Sequence, residues 1–320
     1  MRTLLLAERP FRDLRSRAVL LDLPRRLPAE TAPILVATPA PQAPPGFQPV
    51  APDTDPATLG IGRVLLAGIF GERAAWDTAL AQAARAVAAG ARLEVMALTV
   101  ERGAARREPP AGIAVLDAAA ALEVRDHRTA AMLLVWHIAT PAGIAAYPER
   151  GTAPDDALAA QLPAGPLLGL SILGGSTLPP GPMPWLQPLL AGAAGWPVLP
   201  LPAEGADTPL DDFTGSLAFA EAVLPGATLL LPDLANPVWR RRQLTPARLM
   251  GLVGRCALVV TNQDLVAAMA VAAGRPVIGP VLGFDRRIAA CLSTLANDLP
   301  PGSMLAYPPP SPRDRASARA

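Results

Sequence analysis

The feature that most limits what this chain can fold into is an alternation. Short, nearly continuous apolar runs are separated by longer alanine-rich stretches with one apolar face. Continuous apolar runs of roughly four to eight residues suit strands buried on both faces, and amphipathic stretches suit the helices that cover them. The pattern therefore predicts α/β structure with parallel sheets, and it occurs in two blocks. In the first, strands are expected at 2–7, 18–21, 34–37, 63–67, 93–98 and 114–116, with a helix over 74–89. That helix carries Asp77 in its first turn and stops at Gly90, matching the helix dipole and the preference for a C-terminal glycine.

In the second block, strands are expected at 167–171, 198–201 and 228–231, and helices at 185–191 and 211–223. Its most legible unit is a strand at 257–260, a helix over 262–273 and a strand at 276–279. Gly274 ends the helix and Pro276 prevents its continuation. Between the blocks, Leu162-Pro163-Ala164-Gly165-Pro166 reads as a hinge. The expected organisation is an N-terminal Rossmann-like domain over 1–162, divergent over 1–60, a C-terminal Rossmann-like domain over 163–300 and a disordered tail over 301–320. The segment 38–56 reads as loop, because neither it nor the chain end has apolar periodicity. Two such domains would face a cleft, with ligands beyond the C-terminal ends of the strands where helix N-termini point free amides.

Composition narrows the function classes. The 320 residues, 51% hydrophobic and 17% charged, can fill two cores. A formal net charge of +1 from 28 basic and 27 acidic residues gives none of the excess positive potential that nucleic acid requires. There is no lysine in the chain, which excludes Schiff-base chemistry and a P-loop lysine. Cys256 and Cys291 are the two cysteines, too few for a disulfide framework or a cysteine-rich zinc site, and no other cluster has metal-ligand spacing. The N-terminal run Leu4-Leu5-Leu6-Ala7 is too short for a signal peptide core, and no apolar stretch reaches the roughly 20 residues of a membrane span. A cytoplasmic protein with no metal and no cofactor is expected.

The stretch from Leu244 to Leu295 contains Leu258-Val259-Val260, an alanine-rich helix, then Gly274-Arg275-Pro276-Val277-Ile278-Gly279 and Phe284-Asp285-Arg286-Arg287-Ile288. Earlier, in the same order, stand Glu123-Val124-Arg125-Asp126-His127-Arg128-Thr129 and Leu168-Gly169-Leu170-Ser171. Together these resemble the polysaccharide pyruvyl transferase family over roughly the last two-thirds of the chain. The resemblance implies a GT-B-like fold, phosphoenolpyruvate as donor, and a sugar of a cell-surface polysaccharide or its lipid-linked precursor as acceptor. It further implies that Arg286, Arg287 and Arg125 hold the donor anion, and that Asp285 is a ligand contact in the same cleft-facing segment as Arg286 and Arg287.

The chain departs from that family at the turn after Val260, where the family carries Met-Arg-Leu-His. Gln263 stands in place of the arginine and Leu265 in place of the histidine. A neutral amide supplies no fixed positive charge, and leucine transfers no proton. The expectation is a degenerate member, either a pseudoenzyme or an enzyme with a relocated acid. His127, in the family-like segment, is the candidate acid, and a surface histidine at a helix start is the other reading. His137, beside Trp136, reads as structural.

Val260-Thr261-Asn262 is also similar to the turn of heptosyltransferase-type enzymes. That similarity implies a site at Thr261, Asn262 and Gln263 for the phosphate of a nucleotide sugar, held by backbone amides and the helix dipole, whereas ordinary N-capping explains Thr261 and Asn262. Gly174-Gly175-Ser176 reads as an anion cradle or a plain loop, and Trp239-Arg240-Arg241-Arg242 as a phosphate contact or a solvated loop. A non-catalytic scaffold in a glycan-assembly complex is the third expectation.

Overall fold

The structure, a computed structural model, describes residues 2–8, 10–11, 13–27, 33–37, 43–51, 54–101, 103–105, 108–174, 183–203, 211–282 and 286–307. The chain divides into two compact units, Met1–Glu149 and Arg150–Ala320. The division lies upstream of the Leu162 to Pro166 hinge. Residues 150–162 fold with the second unit: the Arg248 guanidinium donates to Asp155 at 3.1 Å, and the Asp155 amide donates to the Ala247 carbonyl at 2.9 Å.

The first unit contains β1 (Arg2–Leu6), α1 (Leu14–Leu20), α2 (Leu23–Arg26), β2 (Ile34–Ala37) and β3 (Phe47–Val50). It continues through β4 (Ile61–Phe70), α3 (Arg73–Ala88), β5 (Arg92–Val100), β6 (Ala121–Val124), α4 (His127–Val135) and β7 (Gly143–Ile144). All pairings are parallel, in the order β3-β2-β1-β4-β5-β6-β7. The run Leu4-Leu5-Leu6 shows why these strands are apolar throughout. Successive side chains leave a strand on opposite faces, so Leu4 and Leu6 join the core with Trp76 and Leu80 of α3. Leu5 joins Leu20, Leu23 and Val36 on the other side.

The second unit contains β8 (Leu168–Ser171), α5 (Gln187–Leu190), β9 (Val198–Pro200), α6 (Asp212–Val223), α7 (Pro237–Gln243) and α8 (Pro246–Arg255). Then follow β10 (Leu258–Thr261), α9 (Asp264–Ala272), β11 (Val277–Pro280), α10 (Arg287–Thr294) and β12 (Met304–Ala306). Its parallel sheet runs β12-β11-β10-β8-β9. Every residue of α9 from Asp264 to Val271 is buried, the expected state of a helix that is apolar all round. Gly274, at φ 67°, turns the chain after α9 in a conformation that suits glycine.

Five local expectations are corrected. Residues 18–21 lie in or just beyond helix α1, not in a strand, because the Asp13 carboxylate accepts from the Ser16 amide at 2.7 Å and caps a helical turn there. Residues 114–116 lie in a 3-10 helix, Ile113–Ala118, entered through Gly112 at φ 77°. Part of the expected 38–56 loop is β3, where Pro49 is tolerated on a sheet edge that needs no donor from it. The expected 301–320 tail contributes β12 beside β11, and its residues 308–320 lie outside the described residues. The expected strand at 228–231 is reduced to one bridge, Leu229 to Val198.

Candidate functional site

In a parallel sheet, the place where strand order reverses leaves a crevice at the C-terminal strand ends. In the second unit the chain goes from β8 outward to β9, then returns to β10 on the other side of β8. Ser171 and Thr261 end these two strands as register partners. The turn that follows is knitted by its own side chains. Thr261 Oγ1 donates to the Ser171 carbonyl at 2.8 Å and accepts from the Gln263 amide at 2.8 Å. Asn262 Oδ1 accepts from the Leu173 amide at 2.9 Å, which fixes the orientation of its amide group.

That accounting leaves polar atoms over. Ser171, Asn262 and Gln263 are at most 1% exposed, yet among the described residues Ser171 Oγ, Asn262 Nδ2, Gln263 Nε2 and Gln263 Oε1 have no hydrogen-bond partner. A buried unsatisfied polar atom costs about 1–3 kcal/mol. Four in one turn would consume a large part of the roughly 5–15 kcal/mol by which a domain is stable. Buried native polar groups are satisfied almost without exception, so these four atoms are the polar groups of this turn that its own hydrogen bonds do not account for.

Its electrostatics are neutral to negative. Asp264, 2% exposed, opens α9, and its carboxylate accepts from the Leu265 amide at 2.9 Å. Asp212, in the first turn of α6, is fully buried and accepts from the Ala203 amide. Ser216, one turn along α6, accepts from the Ile172 amide at 3.0 Å and ties that helix to the end of β8. Gly215 has to be glycine, because a Cβ there would lie 2.2 Å from the Ile172 carbonyl oxygen. The Arg240 guanidinium, 5% exposed, is held by Asp211 at 2.7 and 3.1 Å and lies 3.8 Å from Asp212.

The other sequence candidates are placed elsewhere. Arg125 is fully buried, paired with Glu149, donating to Thr99 at 3.2 Å and stacked 4.7 Å from the Tyr147 ring centroid. It serves the core of the first unit. His127 is exposed at the start of α4, where Asp126 caps the helix through the Thr129 amide at 2.7 Å. His137 is exposed, with φ 59°, just past the end of α4. Arg286 is exposed at the N-cap of α10, and Arg287, half-buried, is the first residue of that helix. Asp285, Gly175 and Ser176 lie outside the described residues. The expected arginine loop at 239–242 is helical, within α7, and Arg240 faces Phe213 and the Asp211 carboxylate.

Sequence reasoning picked out Thr261, Asn262 and Gln263 but not Ser171 as their partner, nor Asp212 and Ser216. The available signal was a small polar residue closing a strand that otherwise reads Leu-Gly-Leu. Among the described residues no group of three or more His, Cys, Asp or Glu is arranged for a metal ion. A pocket of about 880 Å³ lies in the same unit, lined in part by Arg150, Asp156, Leu162, Gly251, Arg255 and Ala273. It gathers at the C-terminal ends of α8 and α9, away from the ends of β8 and β10. Its Arg150 and Arg255 guanidiniums are engaged by Asp298 and the Pro163 carbonyl, each at 2.8 Å.

The corresponding edge of the first unit is filled from within. Strand order there reverses between β1 and β4. Glu8, just after β1, accepts from the Gly71 and Glu72 amides at 2.7 and 3.0 Å. A carboxylate of the chain itself thus sits where the start of α3 attracts negative charge.

No family model and no curated protein matches the chain. Among solved structures it is similar to a protein of Listeria monocytogenes assigned as UDP-N-acetylglucosamine 2-epimerase, with TM-score 0.51 and 13% identity over 87% of this chain and 78% of that one. It is also matched to ADP-heptose lps heptosyltransferase II of E. coli, with TM-score 0.42 and 14% identity over 96% of this chain and 92% of that one. At 13% identity the first likeness is one of fold. By fold, the chain is an α/β protein of the GT-B type with two Rossmann-like domains.

Proposed function

We propose that the chain binds a nucleotide sugar at the C-terminal edge of its second sheet and works in the transfer or assembly of sugars. The observation that carries this reading is the set of buried polar atoms of Ser171, Asn262 and Gln263, unpartnered among the described residues, at the β8/β10 reversal. Such crevices take nucleotides and similar ligands in doubly wound sheets, and orphaned amides in one are groups that a polar ligand completes.

Pyruvyl transfer from phosphoenolpyruvate, with a polysaccharide or lipid-linked sugar as acceptor, is the finer reading implied by the sequence resemblance. It needs a fixed cation and a proton donor. Among the described residues this turn offers Gln263 and Leu265 in their places, both fully buried, which favours nucleotide-sugar binding over pyruvyl transfer. For the same reason a binding subunit without catalysis is the second reading. No helix among the described residues is long and apolar enough to cross a membrane.

Calorimetry on the full chain with UDP-N-acetylglucosamine, an ADP-sugar and phosphoenolpyruvate separates these readings. Saturable binding of a nucleotide sugar supports the proposal. Binding of phosphoenolpyruvate alone overturns it in favour of pyruvyl transfer, and binding of none overturns it in favour of a scaffold. Turnover of the bound sugar distinguishes an enzyme from a binding subunit.

A further inference from the structure

The unpaired polar atoms of this turn also bear on which part of a ligand it can receive. We infer that Ser171, Asn262 and Gln263 seat an uncharged edge carrying one hydrogen-bond donor beside one acceptor, and not the phosphate or carboxylate of the ligand. This rests on the nucleotide-sugar reading for its location but not for its chemistry.

The chemistry follows from the inventory of what is left unpaired. Gln263 offers one acceptor, Oε1, and one donor group, Nε2, on the same planar amide, both without partners among the described residues. A single amide presented this way is matched by a group with the complementary pair on one edge. Asn262 Nδ2 adds a donor whose direction is set by the Leu173 amide on its other side, and Ser171 Oγ can act either way. All three side chains are neutral. An anion would gain hydrogen bonds from the amide nitrogens but would leave Gln263 Oε1 facing negative charge.

The neighbouring charges point the same way. The first turn of α9 already holds its own carboxylate, Asp264, 2% exposed and bonded to the Leu265 amide. The dipole that would otherwise draw a phosphate to that helix start is therefore answered from within the chain. Asp212, buried in the first turn of α6, adds a second carboxylate, and Arg240 is engaged by Asp211 and Asp212. Two ligand groups have the required neutral edge: the hydrogen-bonding edge of a nucleobase and a pair of adjacent sugar hydroxyls.

The test is binding to the full wild-type chain and to Gln263→Leu, with Ser171→Ala as a milder second variant. The probes are uridine, adenosine, methyl glucoside, N-acetylglucosamine, inorganic phosphate and phosphoenolpyruvate. The expected result is that a nucleoside or a glycoside binds wild type, and that Gln263→Leu weakens it about tenfold or more, as the loss of two hydrogen bonds implies. Ser171→Ala weakens it less. Binding of nucleosides alone identifies the base, and of glycosides alone the hydroxyl pair. The inference is overturned if only phosphate or phosphoenolpyruvate binds, if nothing binds at millimolar concentration, or if neutral probes bind both proteins equally. A nucleotide sugar held equally by wild type and Gln263→Leu sinks this inference and spares the proposed function. A methyl glucoside lost in Gln263→Leu, with no nucleotide sugar bound by wild type, does the reverse.

Discussion

The β1/β4 edge of the first unit and the β8/β10 edge of the second are the same device treated in opposite ways. Both lie where a parallel sheet reverses its strand order. At the first, Glu8 reaches the Gly71 and Glu72 amides, so the helix start is satisfied by a carboxylate from 63 residues away. At the second, the turn bonds to itself and to β8 but leaves four buried polar atoms without partners among the described residues. Topology therefore marks where a ligand could sit, and hydrogen-bond accounting among the described residues separates the two places. A crevice whose donors are met internally has little free energy left to give a ligand.

The comparison can be broken most severely in the first unit. If its polar core is closed by its own ion pairs, Glu149→Ala leaves the fully buried Arg125 guanidinium without its carboxylate and should cost about 3–5 kcal/mol. Urea denaturation monitored by circular dichroism measures this, and a loss under about 1 kcal/mol would show that the pair behaves like a surface salt bridge. Glu8→Ala should cost about 1–2 kcal/mol by uncovering the α3 start. Added sulfate should then recover part of the lost melting temperature in that variant and not in wild type, because the vacated amides become an anion site.

In the second unit the sign should differ. Gln263→Leu removes two unsatisfied buried atoms, so ligand-free stability should stay level or rise by up to about 1 kcal/mol. A drop of about 2 kcal/mol or more would mean that ordered water already satisfies the amide. The smallest effect at neutral pH concerns Cys256, where burial pushes the thiol up to about 12 from 9.0. The folded thiol keeps its proton where the unfolded one loses it, so stability is full below about pH 9 and declines as pH rises toward 12. Cys256→Ala should flatten that alkaline slope in a pH series of thermal melts.

Much of this was legible in the chain because it depends on near neighbours. The β10, α9, β11 unit follows from Leu258-Val259-Val260, the apolar stretch after Asp264, and the stop at Gly274 and Pro276. Thr261, Asn262 and Gln263 could be named as the turn residues on the same grounds. Helix α1 was hidden because its Ala-Val-Leu end imitates a strand and its cap, Asp13, lies five residues earlier than that end. Strands β3 and β12 were hidden because they are short edges, formed by pairing with β2 and β11 more than by their own composition. The surroundings of Arg125 were not legible in the chain. An arginine in a family-like motif reads as an anion contact, and only its enclosure by Glu149, Thr99 and Tyr147 shows where its charge is spent.

The sequence by itself determined the α/β class, the two-block organisation and the position of the turn after β10, since apolar periodicity and helix stops act over a few residues. Only the tertiary structure decided which polar groups of that turn are satisfied. Asn262 meets Leu173 across 89 residues, and Thr261 meets Ser171 across 90. The side-chain amide of Gln263 meets no partner among the described residues. Whether a buried amide has a partner depends on what the fold brings to it from elsewhere in the chain, and local sequence carries no record of that.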